Sequence, residues 1–206
     1  MKKVFLLAAA SVAVVSAPAH AQDSDSNAKD GFRVELRSSY ETPTVSSVDE
    51  DGDIFKLGSA LSYGGEVGYD FAVSNNVTVG PFVTYEESSV GGDDGDFALN
   101  ANGFLFTGLQ VGVSTSVKGQ VYGKVGYAQF TENLSGTGII DIGTGPQNVT
   151  LDANETGKGV GFAIGYEHGF GQNFYGRLEG GYADVGKIFN INTQRRYLGV
   201  ALGVRF

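Results

Sequence analysis

From Gly31 to the last residue, apolar side chains recur at every second position and charges fall between them. A period of two sorts a segment onto the two faces of an extended strand, whereas a helix would spread the same charges around its circumference. In residues 32–40, Phe32, Val34, Leu36 and Tyr40 share one face, and Arg33, Glu35, Arg37 and Ser39 the other. Leu61, Tyr63, Val67, Tyr69 and Phe71 likewise oppose Ser62, Gly64, Glu66, Gly68 and Asp70. Val77, Val79, Pro81, Val83 and Tyr85 oppose Thr78, Gly80, Phe82, Thr84 and Glu86, with Phe82 the discordant member. In 104–113, Leu105, Thr107, Leu109, Val111 and Val113 face away from Phe104, Phe106, Gly108, Gln110 and Gly112, so two aromatics sit on the side that is otherwise polar. Similar segments follow at 120–127, 160–167, 174–182 and 197–206, and the pattern predicts eight strands.

The connections alternate in length. Those at 73–76, 114–116 and 169–172 are short and turn-rich, while those at 42–59, 87–98, 131–157 and 184–194 are long and mostly polar. Short at one end and long at the other describes an up-and-down meander, and eight such strands close into a barrel without exposed edges. In the third long connection, Ile139, Ile140 and Ile142 suit either a strand extension or a partner contact.

Two barrels have this alternation. A soluble carrier lines its interior with the apolar set, and a membrane barrel turns the same set outward. The membrane form is favoured by tyrosines near the ends of the apolar sets: Tyr40, Tyr63, Tyr69, Tyr85, Tyr127, Tyr166 and Tyr182. The polar sets mix signs among glycines, with Arg33, Arg37, Lys124, Arg177 and Arg205 against Glu35, Glu66, Asp70, Glu167 and Glu179, as a narrow interior with paired charges requires. One Arg or Lys at mid-bilayer costs about 2–4 kcal/mol, so Arg33 and Arg37 must point inward. The expected fold is all-β, an eight-stranded antiparallel up-and-down transmembrane β-barrel.

The start of the chain is of another kind. Lys2 and Lys3, an apolar stretch from 4 to 15 interrupted by Ser11, and Ala19-His20-Ala21 form the pattern of a cleaved export signal. The reading is therefore a signal peptide at 1–21, a flexible periplasmic lead at 22–30 and a barrel at 31–206. Removing the signal leaves His168 as the single histidine, and the chain has no cysteine, which excludes thiol chemistry and disulfides. A formal charge of -9 opposes nucleic acid as a partner.

Signal, strands, loop alternation and the ending Tyr197-Leu198-Gly199-Val200-Ala201-Leu202-Gly203-Val204-Arg205-Phe206 resemble the small outer-membrane barrels of Gram-negative bacteria, in particular OmpA-like transmembrane domains and opacity-type surface antigens. Residues 173–182, Asn-Phe-Tyr-Gly-Arg-Leu-Glu-Gly-Gly-Tyr, resemble that family's seventh strand with its inward Arg and Glu. The resemblance implies insertion among outer-membrane lipid and lipopolysaccharide. It also implies a terminal signal for the barrel-assembly machinery at Leu202, Val204 and Phe206, with Ala201 departing from the usual glycine. Adhesion or surface-antigen roles, with an extracellular ligand at the loops, are further implications.

The ten interior charges are expected to form a structural network that fills the lumen and fixes register; a narrow passive channel for ions or small solutes is the alternative. Catalysis is not expected, because His168 has no serine beside it and a Ser-His-acid set is needed for acyl chemistry. No cofactor is implied. Asp49-Glu50-Asp51-Gly52-Asp53 and Asp93-Asp94-Gly95-Asp96 suggest solvated tips more than cation sites, since Ile54 stands where an EF-hand turn needs glycine. Asn-X-Ser/Thr triplets begin at Asn76, Asn133, Asn148 and Asn154 and carry no weight in a bacterial envelope.

Overall fold

The computed structural model describes residues 28–46, 54–56, 58–94, 97–141 and 146–206. The expected signal peptide, residues 22–27 of the lead and the acidic run 49–53 lie outside the described residues. Among the described residues ten strands follow one another: β1 (Gly31–Ser46), β2 (Ile54–Lys56), β3 (Ala60–Ser74), β4 (Val77–Ser88), β5 (Gly91–Asp94), β6 (Phe97–Ser114), β7 (Gly119–Asp141), β8 (Pro146–Gly169), β9 (Phe174–Ile188) and β10 (Ile191–Arg205).

Eight of them form an antiparallel ring in the order β1, β3, β4, β6, β7, β8, β9, β10, closed by pairing of β10 with β1 from Arg33↔Arg205 to Ser46↔Asn192. The short β2 and β5 add only to β1 and β6. At the seam the Phe206 N–H donates to the Phe32 carbonyl, 2.9 Å, and the Asn173 side-chain amide donates to the Arg205 carbonyl, 2.6 Å. Residues 28–30 lead into β1 across the same end, where Ala28 is buried and the Lys29 ammonium donates to the Val117 carbonyl, 2.6 Å.

The faces follow the alternation. Leu36, Leu61, Val83, Leu109, Val125, Phe162, Leu178 and Leu202 are exposed, while Arg33, Glu35, Glu66, Gln110, Lys124 and Arg177 are buried. The discordant aromatics have a place inside: Phe82, Phe104 and Phe106 are buried and meet ring against ring, Phe82 to Phe106 at 4.8 Å and Phe104 to Phe106 at 6.0 Å.

The long connections differ from expectation. Most of their residues continue the strands. β7 and β8 pair without interruption from Gly119↔His168 to Asp141↔Pro146, which takes up most of 131–157. The segment 184–194 is a hairpin too, turning at Phe189 and Asn190, both with positive φ. That conformation matches strand twist in two-residue hairpins, and Asn tolerates it well. Polar composition suggested loops here because the outer faces of these extensions are polar. Beyond Tyr127, the outward positions of β7 are Gln129, Thr131, Asn133 and Ser135, and beyond Val160 those of β8 are Lys158, Thr156, Asn154 and Asp152.

Candidate functional site

The lumen is the chemically richest part of the molecule. Odd positions of β1 (33, 35, 37, 39, 41) and of β9 (175, 177, 179) point into it, as do even positions of β3, β4, β6 and β7, so inward charges from several strands converge. Glu66 of β3 is the hub. It pairs with Arg33, with Arg37 at 3.2 Å, with Lys124 at 2.6 Å and with Arg177 at 3.5 Å, and it accepts from the Thr84 hydroxyl at 2.5 Å. Glu35 is shared among Arg33 (2.9 Å), Arg37 (3.1 Å) and Arg177 (2.7 Å). Glu179 takes Arg37 at 2.5 Å and Lys124 at 2.6 Å. Towards the short-turn end, Arg33 meets Asp70 (3.0 Å), Arg177 meets Glu167 (2.7 Å), and Arg205 joins Asp70 (3.0 Å) to Glu167 (3.1 Å). All ten charges named from sequence are thus brought into one cluster.

Three further members lie towards the hairpin end. Arg37 reaches Glu86 at 3.2 Å, Glu86 reaches Arg195 at 2.5 Å, and Arg195 pairs with Glu41. Glu86 carried the signal, since it already falls on the inner face of its segment. Glu41 and Arg195 were hidden because they belong to stretches read as the end of a strand and the rim of a loop. Among the described residues, six cations and seven carboxylates form a single connected set of ion pairs running from Arg205 to Glu41.

Aromatic rings complete the packing. The Tyr175 hydroxyl donates to Glu35 (3.0 Å), and those of Tyr122 and Tyr197 donate to Glu179 (3.0 and 2.9 Å). The Arg177 guanidinium stacks 4.3 Å from the Tyr122 ring, and that of Arg195 lies 4.0 Å from Phe104 and 4.6 Å from Tyr197. Two of these rings lie flat over glycines directly across the sheet, Tyr197 over Gly181 and Tyr175 over Gly203, where any Cβ would strike the ring. With Gly68 under the Arg33 guanidinium and Gly165 under the Tyr122 ring, these inner glycines are platforms for tyrosine and arginine.

Above the charges the interior turns apolar. Phe104, Ala128, Phe130, Val185 and Ile188 are fully buried and pack with Val90, Ala101 and Ala183. At the top of this layer stands Glu132, directly across from Glu155. Glu132 is 3% exposed, and its Oε1 has no hydrogen-bond partner. Burial first, and the neighbouring Glu155 second, push its carboxyl up to about 7. Glu155 in turn accepts the Phe189 N–H at the β9–β10 turn, 2.5 Å.

Other predicted features lie apart. Leu202 is exposed on the outer face of β10 and Phe206 just past its end, with Val204 between them, and the Phe206 ring is 6.3 Å from that of Phe32. His168 is exposed beside Tyr166, with ring centroids 6.3 Å apart. Among the described residues no group of three or more His, Asp or Glu is placed to hold a metal ion; Asp96 lies outside them, and Asp93 and Asp94 end β5.

An apolar outer belt around a closed, charge-filled ring defines a transmembrane β-barrel, since only closure satisfies the backbone of strands in lipid. A family model described as "Outer membrane protein beta-barrel domain" matches residues 7–206, and the chain belongs to that family. Its place is the bacterial outer membrane. Among solved structures, Neisserial surface protein A (NspA) has 18% identity and a TM-score of 0.52, over 85% of this chain and 97% of that one. Ail, the attachment invasion locus protein of Yersinia pestis, in complex with the heparin analogue sucrose octasulfate, has 13% identity and a TM-score of 0.50, over 84% and 99%. No curated protein sequence matches the chain.

Proposed function

We propose that the protein is a non-catalytic platform that anchors in the outer membrane and holds a rigid β-structure outside it for contact with other surfaces. In barrels of this class the short turns face the periplasm and the long connections face outward. The observation that carries the reading is the β7–β8 hairpin. The two strands stay paired to Asp141↔Pro146, yet β8 pairs with β9 only as far as Val160↔Asp184. Residues 155–159 still lie against β9 and its turn, where Glu155 meets the Phe189 N–H, but past them 146–154 have no second strand partner among the described residues, and an open edge is a template for an extended segment of a partner. Ail is named for attachment and invasion, which agrees in kind.

In this reading the lumen network is structural, and it contributes to envelope integrity by holding the barrel in register. Lipid and lipopolysaccharide surround the belt. The barrel-assembly machinery reads β10 through Leu202, Val204 and Phe206, the extracellular ligand meets the hairpins, and nucleic acid is no partner. Replacing residues 134–153 by an Asn-Gly turn tests the platform. The shortened protein keeps its heat-modifiable band on unboiled gels while adhesion of expressing cells falls; unchanged adhesion refutes the reading.

The narrow channel has one observation in its favour, a lumen polar along most of its length. Against it stand the connected ion pairs and the aromatic layer above them. Planar-bilayer recordings separate the two, and stable single-channel steps would establish conduction.

A further inference from the structure

We propose that residues 28–30, just ahead of β1, form a strap that seals the short-turn mouth of the barrel and keeps periplasmic water and ions away from the lumen charges. The proposal goes beyond the platform reading and involves no extracellular partner.

The course of the chain is the first observation. Round the ring, β1 and β7 are four strands apart in either direction, so the start of β1 and the turn ahead of β7 lie on opposite sides of the mouth. The Lys29 ammonium nevertheless donates to the Val117 carbonyl in that turn, 2.6 Å. Lys29 and Asp30 therefore carry the chain across an opening that eight strands keep narrow. A tail trailing into water would not leave Ala28 only 1% exposed.

Both ends of the strap are fixed. At Gly31 the backbone has a φ of 120°, and a Cβ there would strike the Phe206 carbonyl oxygen. Glycine alone lets the chain turn away from β1 at this point, beside the seam of the ring. At the far end the accepting turn is braced. The Gly119 carbonyl accepts the Thr115 and Ser116 N–H groups at 2.9 and 3.2 Å, and the Lys118 carbonyl accepts the Gly169 N–H at 2.8 Å.

What lies beneath the strap supplies its purpose. Arg205 is the last member of the ion-pair set at this end, and its side chain is 12% exposed where the others are at most 2%. Lys29 sits in the field of the same groups: partial burial lowers its ammonium from the ordinary range, Glu167 opposes that shift and Arg205 adds to it. Ser114 and Gln120 are buried at this end too, and Ser114 Oγ, Gln120 Oε1 and Arg205 Nε have no hydrogen-bond partner among the described residues. Polar atoms under an open mouth would be wetted, and the strap is the segment that crosses above these. With water held back, Arg205 attracts Asp70 and Glu167 through a lower dielectric.

The chain has no cysteine, so one introduced thiol reports on one place. Ser114→Cys is the reporter, because the hydroxyl it replaces makes no hydrogen bond that could be lost. Residues 22–206 and residues 30–206 are refolded into nanodiscs and treated with a cationic methanethiosulfonate, with labelling followed by mass spectrometry. The shortened chain is expected to label roughly tenfold faster, as loss of a local closure predicts. Thr193→Cys, buried on the inner side of β10 at the hairpin end, is expected to react equally slowly in both chains. Gln120→Cys repeats the measurement should Ser114→Cys lack the heat-modifiable band. Equal rates at the short-turn reporter in the two chains would overturn the strap. Equal acceleration at both reporters would overturn it as well, since the deletion would then have loosened the whole barrel.

Discussion

The belt and the extension above it are built from the same strands with opposite polarity. In the belt, Val125, Phe162, Leu178 and Leu202 face outward and the charges are packed inside. One or two turns of the pleat further along β7 and β8, Thr131, Asn133, Thr156 and Asp152 face outward and Phe130 is buried inside. The exchange occurs within single strands and at the level of Tyr127 and Tyr182. It shows that polarity follows the medium: hydrocarbon outside the belt drives apolar residues out, and water outside the extension drives them in. The interior then makes up the difference, with ion pairs in one zone and edge-on and tilted phenylalanines in the other.

The largest expected effect breaks the belt. Glu66→Ala leaves four buried cations with a lost partner, and loss of one member of a buried ion pair costs about 3–5 kcal/mol. Urea titration of the refolded protein in lipid, followed by the heat-modifiable band, should show that loss; a variant as stable as wild type would mean the charges are not coupled.

Next is a pair of arginine substitutions on the outer surface. Leu178→Arg, in the middle of the belt portion of β9, is expected to cost about 2–4 kcal/mol, whereas Thr156→Arg, in the extension of β8, is expected to stay within about 0.5 kcal/mol. Equal costs in liposomes would show that the boundary is misplaced.

A smaller effect concerns acid. Glu132 lies in the apolar extension, with Ala101 of β6 beside it in register, Glu155 of β8 across from it, and Ile188 in the same apolar layer; Glu155 is the charged group acting on it among the described residues. Its carboxyl titrates at about 7 in the fold against an ordinary 4.5, so the folded chain holds the proton more tightly than the unfolded one. Stability from this group is therefore full below about 4.5 and is lost as pH rises through about 7. Hydrogen exchange, corrected for intrinsic rate, should show amides 185–190 opening more at pH 8 than at pH 5.5, with Glu132→Gln removing the difference. Glutamate neutralisation thus has opposite signs in the two zones, costly at Glu66 and favourable at Glu132 at high pH.

The smallest is Thr131→Val. Its hydroxyl shares a 2.9 Å hydrogen bond with Thr156 on the wet face, and a change within about 0.5 kcal/mol is expected by the same urea assay.

The belt was legible in the sequence because hydrocarbon imposes strict alternation there, so Leu36 and Arg37 declare their faces by chemistry alone. Even the apparent exceptions, Phe82, Phe104 and Phe106, follow the register, and only their shared aromatic layer was invisible in one dimension. The extension was less legible. Thr131, Asn133, Asn154 and Thr156 are polar whether they lie in a loop or on a wetted strand, and the pairing that distinguishes the two is long-range. Arg195 and Glu41 were missed for the same reason. A charge beyond the belt can point to water or into the lumen, and only the pairing of β1 with β10 turns this pair inward.

That pairing makes the last strand the keystone of the whole ring. β10 is the partner of both β9 and β1, so a chain interrupted before it would present two raw edges, one at each margin of an open sheet. Completion is consequently all-or-none. The two edges vanish together, at the moment the first and last strands find each other.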